Sequence, residues 1–145
     1  MKTFLLLLFV ASTSANPQCL FDFMTLSADG TRCYNVYARP SYYLEANNMC
    51  CQLHGRVSMQ QAPVDAKRIR TQLKALLTKP NSKTTRYWNG FDNSECRMVD
   101  VLNNQQSYAN CFGFMERAAF VCETLPIGAS GVLPTNAPTP PPQGA

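Results

Sequence analysis

Residues 45 to 57 run Glu45-Ala46-Asn47-Asn48-Met49-Cys50-Cys51-Gln52-Leu53-His54-Gly55-Arg56-Val57. Ala46, Met49, Cys50, Leu53 and Val57 fall at helical spacing, which puts them on one face. The stretch therefore predicts an amphipathic helix whose inward face carries Cys50. Far downstream, Phe120-Val121-Cys122-Glu123 is a short apolar run holding a second cysteine, and 118 to 123 is predicted as the closing strand. If Cys50 and Cys122 are bonded, the last strand is stapled to the first helix and most of the domain becomes one closed loop. On the loop-entropy relation such a bond contributes about 4 kcal/mol.

The chain has 145 residues, the size of a single domain. Met1-Lys2-Thr3, the apolar run from Phe4 to Val10 and the small residues up to Ala15 have the pattern of a secretory signal peptide over 1–15. The run is too short for a membrane span, which needs about 20 apolar residues. A secreted, extracellular protein is expected. Its 7 cysteines, at Cys19, Cys33, Cys50, Cys51, Cys96, Cys111 and Cys122, fit a disulfide framework that supplements a small core. Zinc is disfavoured, because no CxxC pair is present and His54 is the single histidine.

On either side of the first helix the chain alternates strands, turns and one further helix. Residues 20–24 and 33–37 alternate around the turn dipeptide Asp29-Gly30, predicting a hairpin that a Cys19–Cys33 bond would close. Arg39-Pro40 is expected to break the second strand, and Ser41 to cap the first helix. A second helix is predicted from about 64 to 77, with Ala66, Ile69, Leu73, Leu76 and Leu77 as its buried stripe. Strands are expected at 86–91, which holds the single tryptophan, and at 98–102, with a turn at 103–106. Beyond Glu123 there is no charged residue and six of the 10 prolines occur there, so 126–145 is expected to be a disordered or polyproline tail. Thr135 and Thr139 beside prolines are candidate O-glycan sites.

The order of these landmarks resembles the long form of the C-type lectin-like domain, over residues 19–125. The matching residues are Cys19 and Cys33, Glu45-Ala46-x-x-x-Cys50 with its continuation Leu53-His54-Gly55-Arg56-Val57, Tyr87-Trp88-Asn89-Gly90-Phe91, Cys96, Cys111 and Phe120-Val121-Cys122-Glu123. The resemblance implies an α+β fold, two helices packed on small antiparallel sheets. It also implies three disulfides, Cys19–Cys33, Cys50–Cys122 and Cys96–Cys111. Calcium-dependent members of the family hold the ion with Glu-Pro-Asn or Gln-Pro-Asp in a long loop and with Trp-Asn-Asp before the penultimate cysteine. Here only Asp92-Asn93-Ser94-Glu95 separates Phe91 from Cys96, and Gln106-Ser107-Tyr108 stands where Trp-Asn-Asp would fall. Asp92, Glu95 and Asp100 are too few for a cation that takes about six to eight oxygens. The expectation is a calcium-independent domain with no metal and no cofactor.

Function is less sharply drawn. An enzyme is disfavoured, since no nucleophile motif, phosphate loop or carboxylate pair is present and His54 fits a turn better than a catalyst. Between 66 and 91 there are seven Lys or Arg residues and no Asp or Glu. Within that segment Lys67, Arg68, Arg70 and Lys74 are the candidate ligand-binding residues, for an anionic polysaccharide or another acidic surface. A solvated helix face would explain them equally simply, and nucleic acid does not suit a secreted chain. Cys51, rotated about 100° from Cys50, cannot share its buried bridge. It is either a small buried thiol or an intermolecular disulfide making a homodimer, and an oxidising compartment favours the second. The expected function is calcium-independent recognition of a glycan or an extracellular protein. The other expectation is a structural matrix component assembling through the basic face, Cys51 and the proline-rich tail.

Overall fold

The structure is a computed structural model that describes residues 17–131, 133, 138 and 140; the expected signal peptide at 1–15 and most of the proline-rich tail lie outside the described residues. Its elements are β1 (Thr25–Leu26), β2 (Cys33–Ser41), α1 (Tyr43–Gln52), β3 (Arg56–Val57), α2 (Pro63–Leu77), β4 (Arg86–Asp92), β5 (Glu95–Asp100), β6 (Gln106–Asn110) and β7 (Ala118–Thr124). They form an α+β fold. The strand order is β1-β2-β7-β4-β5-β6, with β3 also on β7. Pairing is antiparallel except where β4 meets β7, through Tyr87 and Ala119.

Strand β7 is the axis of the fold. All of its residues are buried, which is why Ala118 to Cys122 are a continuous apolar run and not an alternation. Ala118, Phe120 and Cys122 face one core with Tyr43, Ala46 and Cys50 of α1 and Trp88 of β4. Ala119 and Val121 face the other, with Ile69, Leu73 and Leu77 of α2 and Tyr87 of β4. One helix thus covers each face of a sheet whose central strand alternates between two cores. The three disulfides are Cys19–Cys33, Cys50–Cys122 and Cys96–Cys111, the pairing that the resemblance implies.

Several local expectations need correction. Met49 is 40% exposed, because the inward arc of α1 is narrower than the apolar spacing suggests and holds Tyr43, Ala46 and Cys50. Ser41 does not cap α1. It ends β2, and Tyr42 occupies the cap position without a side-chain bond. Arg39 and Pro40 lie within β2, where the register against β7 shifts between Tyr37 and Ser41; such an irregularity is where a strand admits proline. Residues 20–24 form bends and turns, with Met24 N–H donating to Phe21 O, so the first strand is only Thr25–Leu26. Strand β5 ends at Asp100, short of 102, and β6 was not expected at all.

Gly55 follows α1 and is required by close approach. A β-carbon there would overlap the Glu123 carbonyl oxygen and lie 2.7 Å from Thr124 Cγ2, so the residue lets β3 reach β7. At the foot of the domain the chain leaving β7 returns beside the N-terminal segment, with Ile127 N–H donating to Gln18 O at 2.8 Å; Leu133 is also buried.

The turn between β1 and β2 makes stability depend on pH. Asp29 accepts hydrogen bonds from Thr31 Oγ1 (2.7 Å), Ser27 Oγ (2.7 Å) and Thr31 N–H (3.0 Å), which hold its carboxyl down to about 2. An unfolded aspartate titrates near 3.9, so this contribution is present above about pH 4 and is lost as pH falls toward 2. Burial, aided by Glu123, pushes the Tyr34 phenol up to about 12. The sign there is the opposite. A tyrosine raised on folding stabilises below about pH 10 and loses that contribution as pH rises from 10 to 12. Urea midpoints across pH should fall in both windows, with Asp29→Asn flattening the acid limb and Tyr34→Phe the alkaline one.

Candidate functional site

Helix α2 begins with Pro63 at its first turn, a position where proline's missing N–H costs nothing. Its inward face is Ile69, Leu73 and Leu77 plus a buried acid, Asp65, whose Oδ1 accepts the Ala28 N–H at 2.9 Å. Ala66 and Leu76 are only half-buried. On the next stripe, Arg68 Nη1 donates to Leu26 O (3.3 Å) and Gln72 Nε2 to Thr25 Oγ1 (2.7 Å), so that stripe docks against β1. Lys67, Arg70 and Lys74 lie on the other flank. Their spacing aligns them on one stripe, and with Thr71, Tyr87, Val101 and Asn104 they line a depression of about 220 Å³. No carboxylate is among those lining residues. The structure therefore brings three of the four candidate cations together and turns Arg68 toward β1.

Arg70, Tyr87 and Asn104 also line a neighbouring recess of about 380 Å³, which runs on to Asn89 and Gln106 across the sheet. The burial of Tyr87 behind this surface raises its phenol pKa.

A larger groove of about 640 Å³ opens beside the β4–β5 turn. Arg97 crosses its floor. Its Nη2 donates to Asn89 O at 2.8 Å, and the side chain lies over Gly90, whose φ of 138° no ordinary residue adopts readily. A β-carbon at Gly90 would sit 3.1 Å from that nitrogen. Beside Arg97, the buried Glu123 carboxylate meets Arg56 Nε at 2.8 Å and Arg32 Nε at 3.5 Å. Phe91, Asp92, Glu95 and Tyr108 complete the walls. Sequence reasoning missed this groove because its residues come from β3, β4, β5, β6 and β7. The one local signal was Gly90 inside a strand.

The carboxylates weighed for calcium do not converge. Asp92 and Glu95 pair across the tight β4–β5 turn, whereas Asp100 ends β5, about 17 Å along the strand at the usual rise. Asp100 is also engaged, accepting from Thr85 Oγ1 (3.0 Å) and Leu102 N–H (2.8 Å). Among the described residues no group of three or more His, Cys, Asp or Glu is placed to hold a metal ion. His54 takes a left-handed conformation (φ 59°) in the turn after α1. Cys51 is exposed on α1 and unbonded within the chain. It is not the buried thiol that was one of its two expectations.

Two helices covering opposite faces of this sheet, with the three disulfides in these positions, define the C-type lectin-like fold. No family model matches the sequence, and no curated protein matches it. Solved structures do. EMS16, an antagonist of the collagen receptor integrin alpha2beta1, is 17% identical with a TM-score of 0.54, over 72% of this chain and 98% of its own. Rhodocetin in complex with the integrin alpha2-A domain is 14% identical with a TM-score of 0.54, over 73% and 98%. The CTLD of mouse CD72a is 11% identical with a TM-score of 0.50, over 79% and 99%. At these identities the likeness establishes the fold. Among the described residues no helix is long and apolar enough to cross a membrane.

Proposed function

We propose that this chain is a secreted, calcium-independent C-type lectin-like binding protein, not an enzyme, that recognises a glycan or an extracellular protein surface. The observation that carries the proposal is the depression on α2, where Lys67, Arg70 and Lys74 converge with no carboxylate among the lining residues. An anionic polysaccharide suits it, because three cations at helical spacing present a row of charge to a row of sulfates or carboxylates. Arg68 flanks the row from the β1 side. Domains of this fold in EMS16 and rhodocetin are described with integrin, which supports a protein surface as the other ligand class.

A glycan-array screen with calcium and with chelator, at low and high salt, tests this. Binding is expected to survive chelator and to be lost at high salt. Replacing Lys67, Arg70 and Lys74 by alanine should weaken it by about 2 kcal/mol, or about 30-fold, while Arg68→Ala alone has a smaller effect. Calcium-dependent binding would overturn the proposal.

Exposed Cys51 favours a second reading, an extracellular matrix component whose copies are joined by a disulfide between Cys51 residues and assemble through the basic face and the proline-rich tail. Non-reducing electrophoresis of wild type beside Cys51→Ser decides it. A dimer band absent from the variant supports the bond, and a monomer in both removes it.

A further inference from the structure

The sheet ends at β6, whose outer side pairs with no other strand among the described residues. The bonds that flank it show which of its backbone groups face outward. Asp100 N–H donates to Gln105 O at 2.9 Å, and Cys111 N–H donates to Ser94 O at 2.8 Å. In an antiparallel ladder bonded positions alternate, so the odd-numbered residues of β6 bond to β5. The N–H and C=O groups of Gln106, Tyr108 and Asn110 therefore point to the free edge. The Asn110 carbonyl also accepts from Gly113 N–H at 3.0 Å, and a carbonyl has a second lone pair.

Proteins commonly guard such an edge with a lysine, a proline, a bulge or a covering segment. Strand β6, Gln106-Ser107-Tyr108-Ala109-Asn110, has no charge and no proline, and it pairs with β5 in unbroken register. Gln106, Tyr108 and Asn110 are all exposed, Tyr108 by 59%.

The strand is also chemically symmetric about its centre: amide, small residue, tyrosine, small residue, amide. We propose that β6 is a dimerisation edge, on which a second copy of this chain pairs antiparallel about a two-fold axis at Tyr108. The pairing sets Tyr108 against the partner's Tyr108, Gln106 against the partner's Asn110, and Ser107 against the partner's Ala109. Each meeting is like with like in size, and no charge faces its own sign, which is the usual barrier to self-pairing of a strand. The two Tyr108 residues exchange two backbone bonds, and each Gln106–Asn110 pair adds two more. An extended segment of another protein would fill the same bonds but would not account for the symmetry. Because Arg97 and Tyr108 are cross-strand neighbours lining the large groove, the dimer sets two such grooves side by side. A repeating glycan or a clustered receptor would then be bound at two points at once.

The test uses the whole chain carrying Cys51→Ser, which removes any covalent dimer. Sedimentation velocity across concentration is expected to show a reversible dimer, with the Tyr108 and Asn110 amides protected from hydrogen exchange only as the dimer fills. Tyr108→Lys puts two ammonium groups together on the axis. Tyr108→Pro deletes an N–H that makes no bond to β5. Each should weaken dimerisation about tenfold or more while leaving the monomer folded by circular dichroism. A monomer up to about 0.5 mM overturns the proposal, as does a dimer indifferent to both variants. Edge amides that gain protection only when another extracellular protein is added also overturn it, and assign β6 to a foreign strand.

Discussion

Replacing Cys50 and Cys122 together by alanine is expected to destabilise the protein by about 4 kcal/mol, the largest effect of any of the three bridges. The reason lies in loop length. This bond spans 72 residues, whereas Cys19–Cys33 spans 14 and Cys96–Cys111 spans 15. On the loop-entropy relation the shorter pair are each worth about 3 kcal/mol. Position does not separate it from Cys96–Cys111, since all four cysteines are fully buried in the core that also holds Trp88 and Phe120. For a domain of this size the melting temperature should drop by about 15–20 °C. The double replacement is needed because a single one would leave a free thiol that can form a disulfide with the exposed Cys51 of another copy on unfolding. Urea denaturation of the three double variants gives the ranking. Equal losses for all three would mean that the long loop is already constrained in the unfolded chain.

The pairing of that bond is what the family resemblance implies, but the helix and the strand it joins could be anticipated because the sequence of each is of an unambiguous kind. Ala46 and Cys50 are one helical turn apart beside a strand that is apolar at nearly every position, and only a central strand buried on both faces takes that composition. Elsewhere the same logic misled. Met49 is apolar but lies off the narrow arc that α1 presents to β7, and helical spacing alone does not give the width of an arc. Ser41 resembles a cap, yet its carbonyl is the acceptor of the Trp88 indole, a partner 47 residues away that no local pattern reveals. Strand β6 escaped notice because an edge strand needs only a half-buried inner face, and Ser107 and Ala109 supply that face without any large apolar side chain.

The candidate site divides in the same way. Lys67, Arg70 and Lys74 are legible because a helix turns sequence spacing directly into a stripe. Arg68 is not separable from them in the sequence, since what sets it apart is a hydrogen bond to Leu26, 42 residues distant. The groove at Arg97 is further out of reach. Its floor depends on the conformation of Gly90, and its charge balance on Glu123 meeting Arg56 and Arg32 from separate parts of the chain. Surfaces built from one element are readable in advance, while those built across strands depend on register.

Trp88→Ala is expected to cost about 4 kcal/mol, comparable with losing the long bridge. Trp88 is 2% exposed and packs edge-on against Tyr43 at 5.7 Å between ring centroids. Alanine would leave a cavity between α1 and the sheet that those rigid neighbours cannot close. The indole also has a polar task. Its Nε1 donates to Ser41 O at 2.9 Å, where β2 ends and α1 begins, so one side chain fixes the angle at which the helix leaves the strand. Trp88→Phe separates the two contributions. It keeps most of the apolar volume but strands the Ser41 carbonyl in a buried site, which should cost about 1–2 kcal/mol. Because Trp88 is the protein's single tryptophan, its fluorescence vanishes in both variants and unfolding is followed by circular dichroism. If the phenylalanine variant proved as unstable as the alanine one, the hydrogen bond to Ser41, and not the packing against Tyr43, would be what holds α1 in place.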